Sequence, residues 1–180
     1  MPAELCVIRP AMPQDIEAIT TIYSEHVLGG TASFDTAPRT AAATLDKLQE
    51  CNARGWPFLS AEKNKAVVGY AYVTQFRDRP AYRYTCEDSI YLRGDMRGQG
   101  IGTALLQRLM DAAERCGFRQ MIAVCGGGEA ASVALHQSNG FRLAGRMTSV
   151  GRKAGRWLDT VYLQASLGAG DSTLPEQEPA

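Results

Sequence analysis

The chain has 180 residues, 45% hydrophobic and 21% charged, and its 19 basic and 19 acidic side chains cancel to a formal net charge of zero. That length fits one domain with a core large enough to stand without staples, and the charge balance gives no footprint for nucleic acid or an anionic membrane. Five scattered cysteines without a C-x-x-C pair, two distant histidines and no apolar run of membrane-spanning length argue for reduced thiols, no metal site and a cytoplasmic location.

Read in chain order, Leu5 to Arg9 is a first strand. Pro13 to Val27 is a helix with Ile16, Ile19, Ile22, Tyr23 and Val27 on one face. Thr36-Ala37-Pro38 predicts the start of a second helix, with Thr36 as N-cap, running to Ala53 and ended by Gly55. Phe58 to Glu62 and Ala66 to Thr74 form a hairpin around Asn64-Lys65. A polar loop, Gln75 to Ala81, leads into a long strand from Tyr82 to Leu92. A helix from Thr103 to Cys116 carries Leu105, Leu109, Ala112 and Cys116 on its apolar face, and Gly117 closes it. Gln120 to Val124 is a strand and Ser132 to Asn139 a short helix ending at Gly140. Phe141 to Val150 and Trp157 to Leu167 are the closing strands. Residues 5–167 make the domain, and 168–180, rich in Gly, Pro, Ser and Glu, read as a disordered tail.

The most informative stretch is Arg97-Gly98-Gln99-Gly100-Ile101-Gly102, between the strand ending Asp88-Ser89-Ile90-Tyr91-Leu92 and the helix after it. A glycine-rich turn there lets a ligand approach the backbone, and free N–H groups at a helix start favour an anion such as pyrophosphate. A P-loop would need a lysine before Thr103, and a dinucleotide fingerprint would need a third glycine where Thr103 stands; the chain has neither.

Arg-x-x-Gly-x-Gly after a strand resembles the acetyl-CoA pyrophosphate loop of the GNAT superfamily of N-acetyltransferases. Leu135-His136-Gln137-Ser138-Asn139-Gly140-Phe141 is similar to that family's Leu-Tyr-x-x-x-Gly-Phe run, with His136 at the tyrosine position. Ser132 falls where the family has Ser or Ala, and Glu129 where an asparagine contacting CoA is usual. Two further segments resemble the phosphinothricin and methionine sulfoximine acetyltransferases: Gly151 to Asp159, as Gly-x-Lys-x-Gly-x-Trp-x-Asp, and Arg77 to Ser89, as Arg-x-Ala-Tyr-x-x-x-x-Glu-x-Ser. Ile22 to Val27 with Thr31 to Phe34 fits the same pattern. The resemblance implies an α+β fold, a mixed sheet of about seven strands flanked by about four helices, binding acetyl-CoA and assembling as a homodimer. It also implies that the backbone of Ile90, Tyr91 and Leu92 holds pantetheine, with Arg97 to Thr103, Glu129 and Ser132 completing the cofactor site.

Acetyl transfer to an α-amino group needs a base, because that group is mostly protonated at neutral pH. Glu87, in the middle of an otherwise apolar strand, is the candidate, and the matching glutamate in the subfamily has that role. Its alternatives are an edge-strand charge or a structural ion pair with Arg77 or Arg79. His136 is either a second base, a donor near the leaving thiolate, or a helix-face histidine packed beside CoA. Arg77 and Arg79, with Asp78 between them, suit an anionic amino-acid-like substrate, since a guanidinium binds a carboxylate or phosphinate bidentately. Phe34, Tyr82, Asp88, Ser89, Trp157 and Lys153 are candidates for the pocket wall. The reading is an acetyl-CoA-dependent N-acetyltransferase for a phosphinothricin- or methionine sulfoximine-type amine. Acetylation of another small amine and a non-catalytic CoA-binding sensor remain the alternatives.

Overall fold

The structure is a computed structural model that describes residues 6–175. Seven strands and four helices alternate as β1 (Val7–Pro10), α1 (Ile16–Gly29), α2 (Ala41–Arg54), β2 (Phe58–Lys63), β3 (Ala66–Gln75), β4 (Thr85–Leu92), α3 (Ile101–Arg115), β5 (Gln120–Gly126), α4 (Ala130–Ser138), β6 (Arg142–Lys153) and β7 (Arg156–Ser166). This is the element order read from the sequence. The sheet runs β1-β2-β3-β4-β5-β7-β6 and is antiparallel except for the β4–β5 pair, so it is mixed as expected.

Successive residues of a strand face opposite sides of a sheet, and each face here has its own apolar layer. Leu105, Leu106 and Leu109 of α3 pack with Val73, Cys86, Met121 and Leu163 on one face. On the other, Ile19, Ile22 and Val27 of α1 and Leu48 of α2 cover Phe58, Tyr70 and Tyr72. The rings there form a stacked run, Phe58 on Tyr72 at 4.8 Å and Tyr70 on Tyr91 at 5.3 Å between centroids.

Several boundaries differ from the sequence reading, each for a local reason. The second helix starts at Ala41, not after Thr36, because the hydroxyl of Thr40 accepts the Ala43 N–H and caps it. The long strand starts at Thr85, not Tyr82. Pro80–Tyr82 is a 3-10 turn in which Tyr82 N–H donates to Arg79 and Arg83 N–H to Pro80. The first helix is preceded by a similar turn, Pro13–Asp15. The glycine-loop helix begins two residues early, at Ile101, with Gly100 at its N-cap in the left-handed region (φ 77°). Its buried face is Ile101, Leu105, Leu106, Leu109 and Ala113. Cys116 is exposed: it lies past the end of the helix at the C-cap, just before Gly117 (φ 92°). Of the expected tail, residues 168–175 follow β7 as turns, with Arg119 donating to the Gly170 carbonyl and to Thr173. Residues 176–180, and Leu5 of the expected first strand, lie outside the described residues.

Candidate active site

The site is made where β4 and β5 part. They pair in parallel from Thr85↔Gln120 to Asp88↔Ala123 and no further, while β4 stays paired with β3 as far as Gly69↔Leu92. Ser89 to Leu92 therefore present an edge toward the gap that β5 does not fill. Parallel strands separating at their carboxyl ends open a crevice, here with α3 and α4 on one side and α1 on the other.

Two cavities occupy that crevice. The first, of about 520 Å³, is lined by Ile90, Tyr91 and Leu92, by the loop residues Arg97, Gly98, Gly100, Gly102 and Thr103, and by Glu129 and Ser132. Gln99 and Ile101 belong to the same loop but not to the wall: Gln99 bonds Lys63 and the Asp95 carbonyl, and Ile101 is buried in the core. A Cβ on Gly98 or Gly100 would meet no protein atom within 4 Å, whereas one on Gly102 would lie 3.2 Å from Leu92. The first two glycines leave space for a ligand, and the third lets the helix start press against β4. With α3 directing its first N–H groups at the cavity, the donor set fits the pyrophosphate of CoA, and the open β4 edge fits pantetheine. The imidazole of His26 lies 2.8 Å from the Leu92 carbonyl, at the far end of this edge.

The second cavity, of about 430 Å³, is lined by Phe34, Glu87, Asp88, Ser89 and His136 together with Tyr23, Asp35, Arg39, Tyr72 and Thr74. Ala32, Ile90, Tyr91, Glu129 and Ser132 line both, so the two cavities meet at a common neck. Glu129 accepts a hydrogen bond from Thr31 (3.2 Å), tying the loop after α1 to the start of α4 beside that neck.

Glu87 projects into the second cavity on the same face as Thr74, its partner on β3. Burial raises its carboxyl above the ordinary glutamate range; the neighbouring Asp88 adds to the shift, and Arg77 opposes it. Asp88 points through the sheet and meets His136 Nε2 at 3.1 Å. Nδ1 of His136 faces the Ser132 carbonyl at 2.7 Å, and the ring is only 2% exposed. Two acceptors on two ring nitrogens suit the imidazolium form. Burial works against that charge, but the Asp88 hydrogen bond, helped by Cys125 and Ser132, pushes His136 up to about 10. The second carboxylate oxygen of Asp88 is buried without a hydrogen-bond partner among the described residues.

Phe34 is held in a slot made by two glycines. A Cβ on Gly126 would come within 3.0 Å of its ring, and one on Gly151 would run into it. Lys153 donates to the Ser33 carbonyl (2.7 Å) and so holds the Phe34 loop without reaching the cavity wall. Arg77, Asp78, Arg79 and Tyr82 stand exposed on the loop beside the site, outside both walls, with Arg77 over the Phe76 ring. Trp157 is 62% exposed on the β6–β7 hairpin rather than at the pocket. The sequence reading missed His26, Tyr23, Arg39, Tyr72 and Thr74. Tyr72 and Thr74 could have been found from the alternation of β3, since they pair with Ser89 and Glu87. Among the described residues no group of three or more His, Cys, Asp or Glu side chains could hold a metal.

Comparison with known proteins follows the same lines. Residues 8–162 match the family model described as acetyltransferase (GNAT) domain. The phosphinothricin N-acetyltransferase of Alcaligenes faecalis is 45% identical over 172 residues, spanning 95% of this chain and 87% of that protein. An L-methionine sulfoximine/L-methionine sulfone acetyltransferase of Salmonella typhimurium is 39% identical over 160 residues, spanning 89% and 94%. A crystal structure of a GNAT superfamily phosphinothricin acetyltransferase from Sinorhizobium meliloti, in complex with acetyl-CoA, superposes with a TM-score of 0.93. It has 44% identity and coverage of 96% of this chain and 94% of that one.

Proposed function

The chain belongs to the GNAT acetyltransferase family and is an acetyl-CoA-dependent N-acetyltransferase, and we propose that it acetylates the α-amino group of phosphinothricin, methionine sulfoximine or methionine sulfone. The observation that carries this reading is the pair of cavities joined at one neck, with a glycine loop at one end and Glu87 at the other.

When bound, acetyl-CoA supplies an acetyl group activated as a thioester. The amides of Gly98 to Thr103 and the dipole of α3 hold its pyrophosphate, Arg97 adds a positive charge, and the edge of Ile90 to Leu92 aligns pantetheine toward the neck. Ser132 and Glu129 border the point where thioester and amine meet. Glu87 accepts a proton from the substrate ammonium, directly or through a water, leaving a nitrogen lone pair to attack the acetyl carbon. The C–N bond forms, the C–S bond breaks, and the second proton of the acylated nitrogen passes to the departing thiolate, which leaves as the free thiol. The raised affinity of Glu87 for protons, caused by its burial, suits it to this exchange. His136, with both nitrogens engaged, fixes Asp88 and the first turn of α4, and so positions Ser132. Arg77 and Arg79 draw an anionic substrate to the rim, and Phe34, Tyr82 and Ser89 bound its path.

A homodimer is part of this proposal. Leu143 and Trp157 (each 62% exposed), Met147 and Val150 leave apolar surface on the β6–β7 hairpin at the sheet edge, as a subunit interface requires. The five free cysteines and the cytosolic chemistry of acetyl-CoA support a cytoplasmic location; no described helix is long and apolar enough to cross a membrane.

The test is thiol release from acetyl-CoA across an amine panel. Phosphinothricin and methionine sulfoximine or sulfone should give the highest kcat/KM. Preference for a polyamine or an aminoglycoside would overturn the substrate assignment.

A further inference from the structure

Arg39 is the one guanidinium among the residues lining the Glu87 cavity. It lies in the loop before α2, a segment that carries none of the motifs above. Three groups fix it. Its carbon stands 4.5 Å over the ring of Tyr23, Nη1 donates to the Tyr72 hydroxyl at 3.2 Å, and Nε is 3.6 Å from Asp35. Such clamping removes rotamer freedom before any ligand arrives, which lowers the entropic cost of binding. It also leaves Nη2 without a partner among the described residues.

The sheet fixes the relation between Arg39 and Glu87. Tyr72 and Thr74 are two residues apart on β3, so they face the same side, and Thr74 pairs with Glu87 while Tyr72 pairs with Ser89. Arg39, bound at the tip of Tyr72, thus stands over the same face as Glu87, displaced along the cavity. The second cation in the wall, Lys47, bonds Glu50 at 2.6 Å and is already satisfied. A zwitterionic ligand fits this polarity, with its ammonium at Glu87 and an oxyanion at Arg39.

We propose that Arg39 binds an oxyanion of the amine substrate, carboxylate or phosphinate, and so selects amines that carry one. This rests on the substrate reading above and adds to it the residue that enforces the choice. Arg77 and Arg79 attract the substrate at the rim, and Arg39 orients it inside.

The experiment compares wild type with Arg39→Gln on phosphinothricin, methionine sulfone and methionine sulfone carboxamide, which carry two, one and no oxyanions. The KM for acetyl-CoA and the thermal shift with acetyl-CoA serve as fold controls. Arg39→Gln should lower kcat/KM for substrates bearing the bound group at least about tenfold, through KM, and change the carboxamide less than about twofold. Similar losses on phosphinothricin and methionine sulfone identify the carboxylate; loss on phosphinothricin alone identifies the phosphinate. An equal loss on all three, carboxamide included, overturns the proposal, since a merely structural arginine affects every substrate alike. Wild-type enzyme inactive on all three would instead overturn the substrate reading on which it rests.

Discussion

Glu87 and Asp88 are neighbours on β4 that face opposite sides of the sheet and meet different surroundings. Asp88 lies against the His136 imidazole at 3.1 Å, almost wholly buried. Glu87 opens to the cavity, its carboxyl is raised by burial, and among the described residues no ion pair holds it. The alternation of one strand thus separates a carboxylate held by a histidine from one that opens to the cavity, the geometry on which the proposed role of Glu87 as base rests.

The Asp88–His136 pair makes stability depend on pH in a defined direction. A histidine whose folded-state value is raised contributes stability fully below its unfolded value, near 6.5, and loses it as pH climbs through about 10. Asp88→Asn should therefore destabilise the protein most at about pH 6, with the gap to wild type narrowing toward pH 10. Thermal denaturation of both proteins across that range checks it; a gap that stays constant or widens contradicts the charged pair.

The glycine loop predicts a loss of cofactor binding without loss of fold. Gly100 has φ 77° and open space where a Cβ would stand. Gly100→Val strains the helix start and puts a branched side chain into the cofactor's path. Acetyl-CoA affinity should fall at least about tenfold, about 1.4 kcal/mol, by calorimetry. Unchanged affinity in a folded variant removes the loop from the site.

Gly151→Ala should act on the amine alone. The new methyl group would collide with the Phe34 ring, which lines the second cavity and not the first. The KM for the amine should rise several-fold with that for acetyl-CoA unchanged. Equal rises would mean that the two cavities are not separable.

Thr40→Ala tests the corrected helix start. Loss of the hydroxyl that accepts the Ala43 N–H should cost about 1 kcal/mol in chemical denaturation. Thr36→Ala, at the position favoured from sequence, should cost less.

Periodicity and turn chemistry were enough to read the order of the seven strands and four helices among the described residues, most plainly where an element buries one face, as α1 and α3 do. Boundaries failed where a short polar contact decided them. Thr36, two residues before Pro38, reads as the cap in sequence, but the hydroxyl that accepts an N–H is that of Thr40. Tyr82 reads as the start of a strand until Pro80 is seen to close a 3-10 turn. In the site, the glycine loop and Glu87 were legible because both are chemically out of place in their surroundings. Arg39 was not, since its role depends on Tyr23 and Tyr72, which come near it only when the sheet forms. The slot of Gly126 and Gly151 around Phe34 was hidden for the same reason: the two glycines are on different strands.

The base assignment of Glu87 is tested most directly by kcat for Glu87→Gln across pH 6.5 to 9.5 at saturating acetyl-CoA. Glutamine keeps the shape and the hydrogen-bonding reach but accepts no proton. At pH 7 kcat should fall about 10²–10⁴-fold, the usual contribution of a positioned base, with acetyl-CoA binding unchanged. The deficit should shrink as pH rises and more substrate arrives as free amine. A variant with near-normal kcat at pH 7 would contradict the account, because proton acceptance by Glu87 could then not be part of turnover.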